Sequence, residues 1–195
     1  MSNRLPRIYI PRRRKIMNYD ESVFKEKANR RARRIWIIFA ALLSANYGAD
    51  VANHLRGTTY YIIFLALCWL PVITGEILLR VKGFDTDQYK FNLVIGYGIF
   101  YTFVLCTTES PIAFTYILPV TSLLVLYKSI RFMVSCGIAN SLIIVGGAAY
   151  RISQGFNSAS DMKNYQLELA CIILCYICYV MSIKHLIESD GAMTD

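Results

Sequence analysis

The sequence predicts an all-α membrane protein, a bundle of six transmembrane helices with both termini in the cytoplasm. Three observations predict it. Hydrophobic residues make up 55% of the 195 and charged residues only 17%, with a mean hydropathy of +0.40. Charge is segregated: residues 1–34 hold 12 of the 21 Lys and Arg but 3 of the 13 Asp and Glu, so the formal charge of +8 belongs to this segment. Apolar runs near the ~20 residues needed to cross a ~30 Å hydrocarbon core fill the remainder. These runs are continuous rather than alternating, which excludes a β-barrel. The segregated charge excludes a uniformly basic nucleic-acid-binding domain, so no nucleic acid is expected as a partner. Six cysteines, mostly inside apolar runs of a long chain, exclude a disulfide scaffold.

Residues 1–34 read as a basic cytoplasmic tail. Its clusters, Arg12-Arg13-Arg14-Lys15 and Arg30-Arg31-x-Arg33-Arg34, set topology and contact anionic lipids of the bilayer. Asn18-x-x-Glu21 has the form of a capping box opening a short helix into span 1. Span 1 covers about 35–55; it begins too late and is too long for a cleavable signal peptide. Spans 2 and 3 cover about 58–80 and 91–109. Thr107-Thr108-Glu109-Ser110-Pro111 separates span 3 from span 4, about 111–128, because proline disfavours helix at the residue before it. Span 4 is the shortest; without it the count is five and the C-terminus changes side. Spans 5 and 6 cover about 131–151 and 166–187, so the membrane module occupies 35–188, and 189–195 is the stub of a cytoplasmic connection. Arg80, Lys82, Lys90, Lys128, Arg131 and Lys184 fall on the side of the basic tail, against Arg56, Arg151 and Lys163 opposite, which places the protein N-in as a multi-pass membrane protein with both termini in the cytoplasm. Tyr60, Tyr61, Tyr127, Tyr150 and Tyr165 sit near span ends, where amphipathic rings suit the headgroup region.

Ionisable and amide groups inside a bilayer are costly, so each is a site candidate. Asn46, Asp50, Asn53 and His54 lie at offsets 0, 4, 7 and 8, on one face of span 1. They form either the wall of a ligand pocket open to the outside or an interhelical hydrogen-bond seam. Asn46, Asp50 and Asn53 are the expected ligand contacts. Glu76 is expected to pair with Arg80 four residues on. Asn140, near the middle of span 5, should find a partner on another helix. Pro71 and Pro119, within spans 2 and 4, each remove a backbone donor and are the hinge candidates. Ser44, Gly48 and Ala52, and the run at 146–149, offer close-packing faces. Cys171, Cys175 and Cys178 are read as small buried hydrophobes, with no metal site. Tyr97, Tyr101, Tyr116, Tyr176 and Tyr179 line a cavity or serve as core aromatics with one satisfied hydroxyl each. There is no Walker A loop, Rossmann fingerprint, zinc helix or nucleophile elbow, so no enzyme, no catalytic residue and no cofactor are expected.

Ile99-Phe100-Tyr101-Thr102-Phe103-Val104-Leu105, Thr107-Thr108, and Pro111-Ile112-Ala113-Phe114-Thr115-Tyr116-Ile117-Leu118-Pro119 resemble the multi-span N-terminal region of bacterial methyl-accepting chemotaxis proteins. The resemblance covers about residues 97–195. In those receptors a five- or six-helix membrane module precedes a cytoplasmic signalling coiled coil, and related modules precede diguanylate cyclase domains. The ending, Glu188-Ser189-Asp190-Gly191-Ala192-Met193-Thr194-Asp195, looks like the junction into that coiled coil. The resemblance implies a sensory module of a bacterial inner (cytoplasmic) membrane that signals to a cytoplasmic domain or kinase complex, and a homo-oligomer. No heptad-patterned hairpin follows residue 188, so the expectation is a membrane input part whose effector is missing from this chain. A chain of this length and layout is also similar to the substrate-binding membrane subunits of energy-coupling-factor transporters, which implies a small-molecule carrier as the alternative.

Overall fold

The computed structural model describes residues 12–108, 110 and 112–192, with side chains described from residue 21 to residue 190 of that set. The basic cluster at 12–15, Glu109, Pro111 and residues 193–195 therefore lie outside the described side chains. Every element among the described residues is helical: α1 Arg12–Ala52, α2 Thr58–Lys82, α3 Gln88–Thr107, a 3-10 turn Ala113–Ile117, α4 Leu118–Leu124, a 3-10 turn Val125–Tyr127, α5 Ile130–Ser153 and α6 Ala159–Ala192. Five of these helices are long and apolar enough to cross a membrane. Ile38, Leu42, Leu70, Ile95, Leu142 and Leu174 are all more than half exposed on the outer surface. So much exposed apolar surface suits lipid and not water.

α1 departs from expectation. It is continuous through residue 34, so the described part of the basic tail, from residue 12 on, and the first span are one helix. Ala28, Asn29, Ala32, Trp36, Ala40, Leu43 and Tyr47 are buried, a repeat of three and four that seats the basic half against the bundle too. Asn18 lies inside this helix, not at the N-cap position expected for it.

α3 forms the centre, packed between α2 and α5, while α1 lies on α2 and α6 on α5. Its Tyr97, Phe100, Tyr101 and Val104 are almost wholly buried. Trp36 meets Tyr97 edge-on at 5.2 Å, and Tyr47 stacks on Phe64 at 4.0 Å, joining α1 and α2 to α3 through aromatic packing. The close-packing face expected on α1 is used: Ser44 Oγ accepts from Trp69 Nε1 at 2.9 Å, the Ser44 carbonyl accepts from the Tyr61 hydroxyl at 2.8 Å, and that hydroxyl lies 2.9 Å from where a Gly48 Cβ would stand. Asn140 finds its partner, donating to the Tyr176 hydroxyl of α6.

The fourth apolar run is not a regular helix. Its 3-10, α and 3-10 pieces follow from local competition for carbonyls. Pro119 cannot donate to the Thr115 carbonyl. The Thr115 and Thr121 hydroxyls bond the carbonyls of Ile112 and Leu118, an alternative to the helical ladder. From α3, Tyr97 donates to the Tyr116 carbonyl and Tyr101 to that of Phe114 at 3.0 Å. Pro119 stands in the first turn of α4, where its missing N–H costs nothing and bends no long helix. Pro71 lies inside an unbroken α2. Its ring presses on Gly96 and its carbonyl accepts from Asn92 Nδ2 at 2.9 Å, so it is clamped between α2 and α3.

Candidate functional site

Of the residues expected to contact a ligand, Asn46 and Asn53 are exposed and Asp50 is half-buried. Asp50 pairs with Arg56 at 3.7 Å. Asn53 and His54 lie beyond the end of α1, His54 in a left-handed turn at φ 58°. The expected inward stripe is therefore not formed. Leu43 and Tyr47 set the inward face, and the residue before each is turned by about 100° from it. Asn46, Asp50 and Asn53 thus do not share the buried face of α1, and no group of three metal-ligating side chains occurs among the described residues.

The polar cavity lies elsewhere at the same end of the bundle. It has a volume of about 260 Å³ and is lined by Cys106, Thr107 and Thr108 from the end of α3 and by Tyr150, Arg151 and Gln154 from the end of α5. Thr107 Oγ1 donates to the Phe103 carbonyl at 2.7 Å and meets the Tyr60 hydroxyl at 3.0 Å. Thr108 is buried, its hydroxyl beside that of Tyr47. Arg151 is 8% exposed, with its guanidinium 5.6 Å from the ring centres of both Phe156 and Tyr165. Buried Glu168 of α6 lies within electrostatic reach of it. Burial of both charges is costly without mutual compensation. Glu168 escaped the sequence reading because it falls in the first turn of span 6, where a carboxylate passes as an interfacial group. The approach of Glu168 to the α5 terminus emerges only from the packing of α5 on α6.

Four of the five tyrosines resolve as packed aromatics with occupied hydroxyls. Besides Tyr97 and Tyr101, Tyr176 accepts from Asn140, and Tyr179 shares a 2.8 Å hydrogen bond with Ser122 of α4. Cys171 and Cys178 face outward instead of being buried, because Glu168, Ile172, Tyr176 and Ile183 take the inward face of α6.

A second polar cluster closes the opposite end. Asn29 is fully buried. Its amide donates to the Phe84 and Thr86 carbonyls at 2.8 and 2.9 Å, and its oxygen accepts from the Tyr127 hydroxyl at 2.8 Å. Lys128, left-handed at φ 48°, pairs with Asp190 of α6. The Ala113–Tyr127 segment thus runs from the carbonyls that Tyr97 and Tyr101 of α3 reach to the Asn29 cluster. In the α2–α3 loop, Asp87 meets Lys25 at 2.7 Å and Lys90 at 2.9 Å. The hydrogen bond from Lys25, then that from Lys90, holds the Asp87 carboxyl below its ordinary value. A depressed folded-state pKa stabilises the fold above the unfolded value and loses that contribution as pH falls through the folded one. The thermal midpoint is therefore expected to fall slightly as pH is lowered below ~4. Asp87→Asn should flatten that limb; an unchanged limb argues against the triad.

No protein-family model matches this chain, and neither a curated protein nor a solved structure matches it.

Proposed function

We propose that the chain is the sensory membrane module of a chemotaxis-type transducer in a bacterial inner membrane. It crosses six times, N-in, with the Ala113–Tyr127 segment as the fourth crossing and both termini in the cytoplasm. It performs no catalysis. The stimulus acts at the polar cavity between α3 and α5, and α6 carries the response to a cytoplasmic signalling domain or kinase complex, in a homo-oligomer.

The observation that carries this reading is the broken fourth segment. It is bonded to α3 at Tyr97 and Tyr101, to α6 at Ser122 and at the Lys128–Asp190 pair, and to α1 at Tyr127. One element with mixed 3-10 and α winding thus ties together α3, α6 and the Asn29 end of α1. A signalling step needs an element with two arrangements that a stimulus can bias. Mixed winding of this kind often marks a hinge.

The test joins the intact chain to a chemoreceptor signalling hairpin and reads kinase activity. Tyr97→Phe and Tyr101→Phe each remove one hydroxyl-to-carbonyl bond, worth about 1 kcal/mol net. Each should shift the resting kinase activity by up to about fivefold at unchanged insertion, since the ratio of two states follows that energy. Resting activity unchanged in both variants sinks the proposal.

A further inference from the structure

We propose that a groove between α1 and α2 at the Asn29 end holds one anionic phospholipid, its phosphate on Arg33 and Arg80 and an acyl chain along Ile37, Ile73 and Ile77. The groove has a volume of about 440 Å³, and Trp69 and Glu76 complete its walls.

The sequence reading paired Glu76 with Arg80 alone. In the structure Glu76 accepts from Arg33 Nε at 2.6 Å and Arg33 Nη2 at 3.1 Å, and from Arg80 Nε at 3.3 Å. Two guanidiniums therefore share one carboxylate, and the groove keeps one unmatched positive charge. The terminal nitrogens of Arg80 take no part in these bonds, and its side chain is 77% exposed. A planar guanidinium offers paired donors that match phosphate oxygens. The apolar strip of Ile37, Ile73 and Ile77 leads away from the charged mouth towards Trp69. Seven residues separate Trp69 from Glu76, about 10 Å along the helix. A charged mouth over an apolar trough matches a lipid with its headgroup at the membrane surface and a chain in the core. The unmatched charge selects a headgroup of net negative charge, because a zwitterionic one brings its own cation towards Arg80. This site is separate from the polar cavity and stands whether or not the chain is sensory.

Trp69 reports on the groove directly. The chain has two tryptophans, and Trp36 is buried with its indole N–H unpartnered. Trp36→Phe keeps the ring against Tyr97 and removes that unpartnered donor, leaving Trp69 as the sole emitter. The full-length Trp36→Phe chain is reconstituted in phosphatidylcholine vesicles carrying increasing fractions of phosphatidylglycerol brominated on its acyl chains, or of phosphatidylcholine brominated likewise. Half-maximal quenching is expected at about fivefold less brominated phosphatidylglycerol, as for one basic group near an anionic headgroup. Adding Arg80→Gln should bring the two lipids level. Adding Arg34→Gln, which removes an exposed arginine outside the groove, should leave the preference intact. Equal quenching by the two lipids before any arginine is changed overturns the proposal. So does a preference that survives Arg80→Gln, or one that Arg34→Gln abolishes equally, which points to diffuse surface charge. Native mass spectrometry of the wild-type chain from the same lipid mixtures gives a second reading that does not depend on Trp36→Phe. One retained phosphatidylglycerol, lost with Arg80→Gln, supports the site, and no preferential retention counts against it.

Discussion

Gly96→Ala is expected to destabilise the bundle by about 1–3 kcal/mol, the cost of forcing a methyl group into a filled contact. A Cβ on Gly96 would stand 2.6 Å from Pro71 Cγ, closer still to Pro71 Cβ, and 3.4 Å from Pro71 Cα. The pyrrolidine ring cannot rotate out of the way. The Asn92 amide on the Pro71 carbonyl and the Thr74 hydroxyl on Asn92 Oδ1 at 2.9 Å hold the two helices in register, so relief requires α2 and α3 to separate. Gly146→Ala is the control, because a Cβ there meets nothing within 4 Å. Thermal unfolding of the purified protein in detergent should show a lower midpoint for the first variant and an unchanged one for the second. Equal midpoints would mean that Pro71 is not clamped on Gly96.

Asn29→Ala should cost a similar amount, about 2–3 kcal/mol. It leaves the Phe84 and Thr86 carbonyls and the Tyr127 hydroxyl without their partner in a buried place. Tyr127→Phe removes only one of the three bonds and should cost about 1 kcal/mol. The damage should be local at first. Hydrogen exchange in the α2–α3 loop and at the end of the fourth segment should quicken before that of α3. If the loop keeps its protection in Asn29→Ala, the amide is not what ties it down.

The sequence made the long helices legible because their apolar runs approach the length a bilayer demands. It also exposed Asn140, since an amide deep in an apolar run needs a partner wherever the fold lies. Four things were hidden for physical reasons. The lower part of α1 looked like a tail because its arginines dominate the composition, while Ala28, Asn29 and Ala32, which do the packing, are small and inconspicuous. The face of α1 was misjudged at Asn46 and Asp50 because a polar stripe and an apolar stripe share the helical period. Packing of Tyr47 on Phe64 chose between them. The winding of the fourth segment depends on tyrosines of α3 that reach its carbonyls, a contact no local pattern records. The polar cavity was invisible for the same reason, since its walls come from the ends of two helices more than forty residues apart in sequence.

The winding of that segment has a consequence for its length. A 3-10 turn rises about 2.0 Å per residue and an α turn about 1.5 Å. Five residues at its start and three at its end are in the longer form. Rewinding all of them as α-helix would draw the two ends together by about 4 Å, each backbone donor trading one carbonyl for the next except at Pro119, whose missing N–H leaves the Thr115 carbonyl without a helical partner. The Ala113–Tyr127 segment would thus act as a strut whose length follows its winding, whereas α2, α3, α5 and α6 are α-helical throughout. A strut that shortens between fixed anchors tilts or slides whatever it is tied to, and here the ties run to α6.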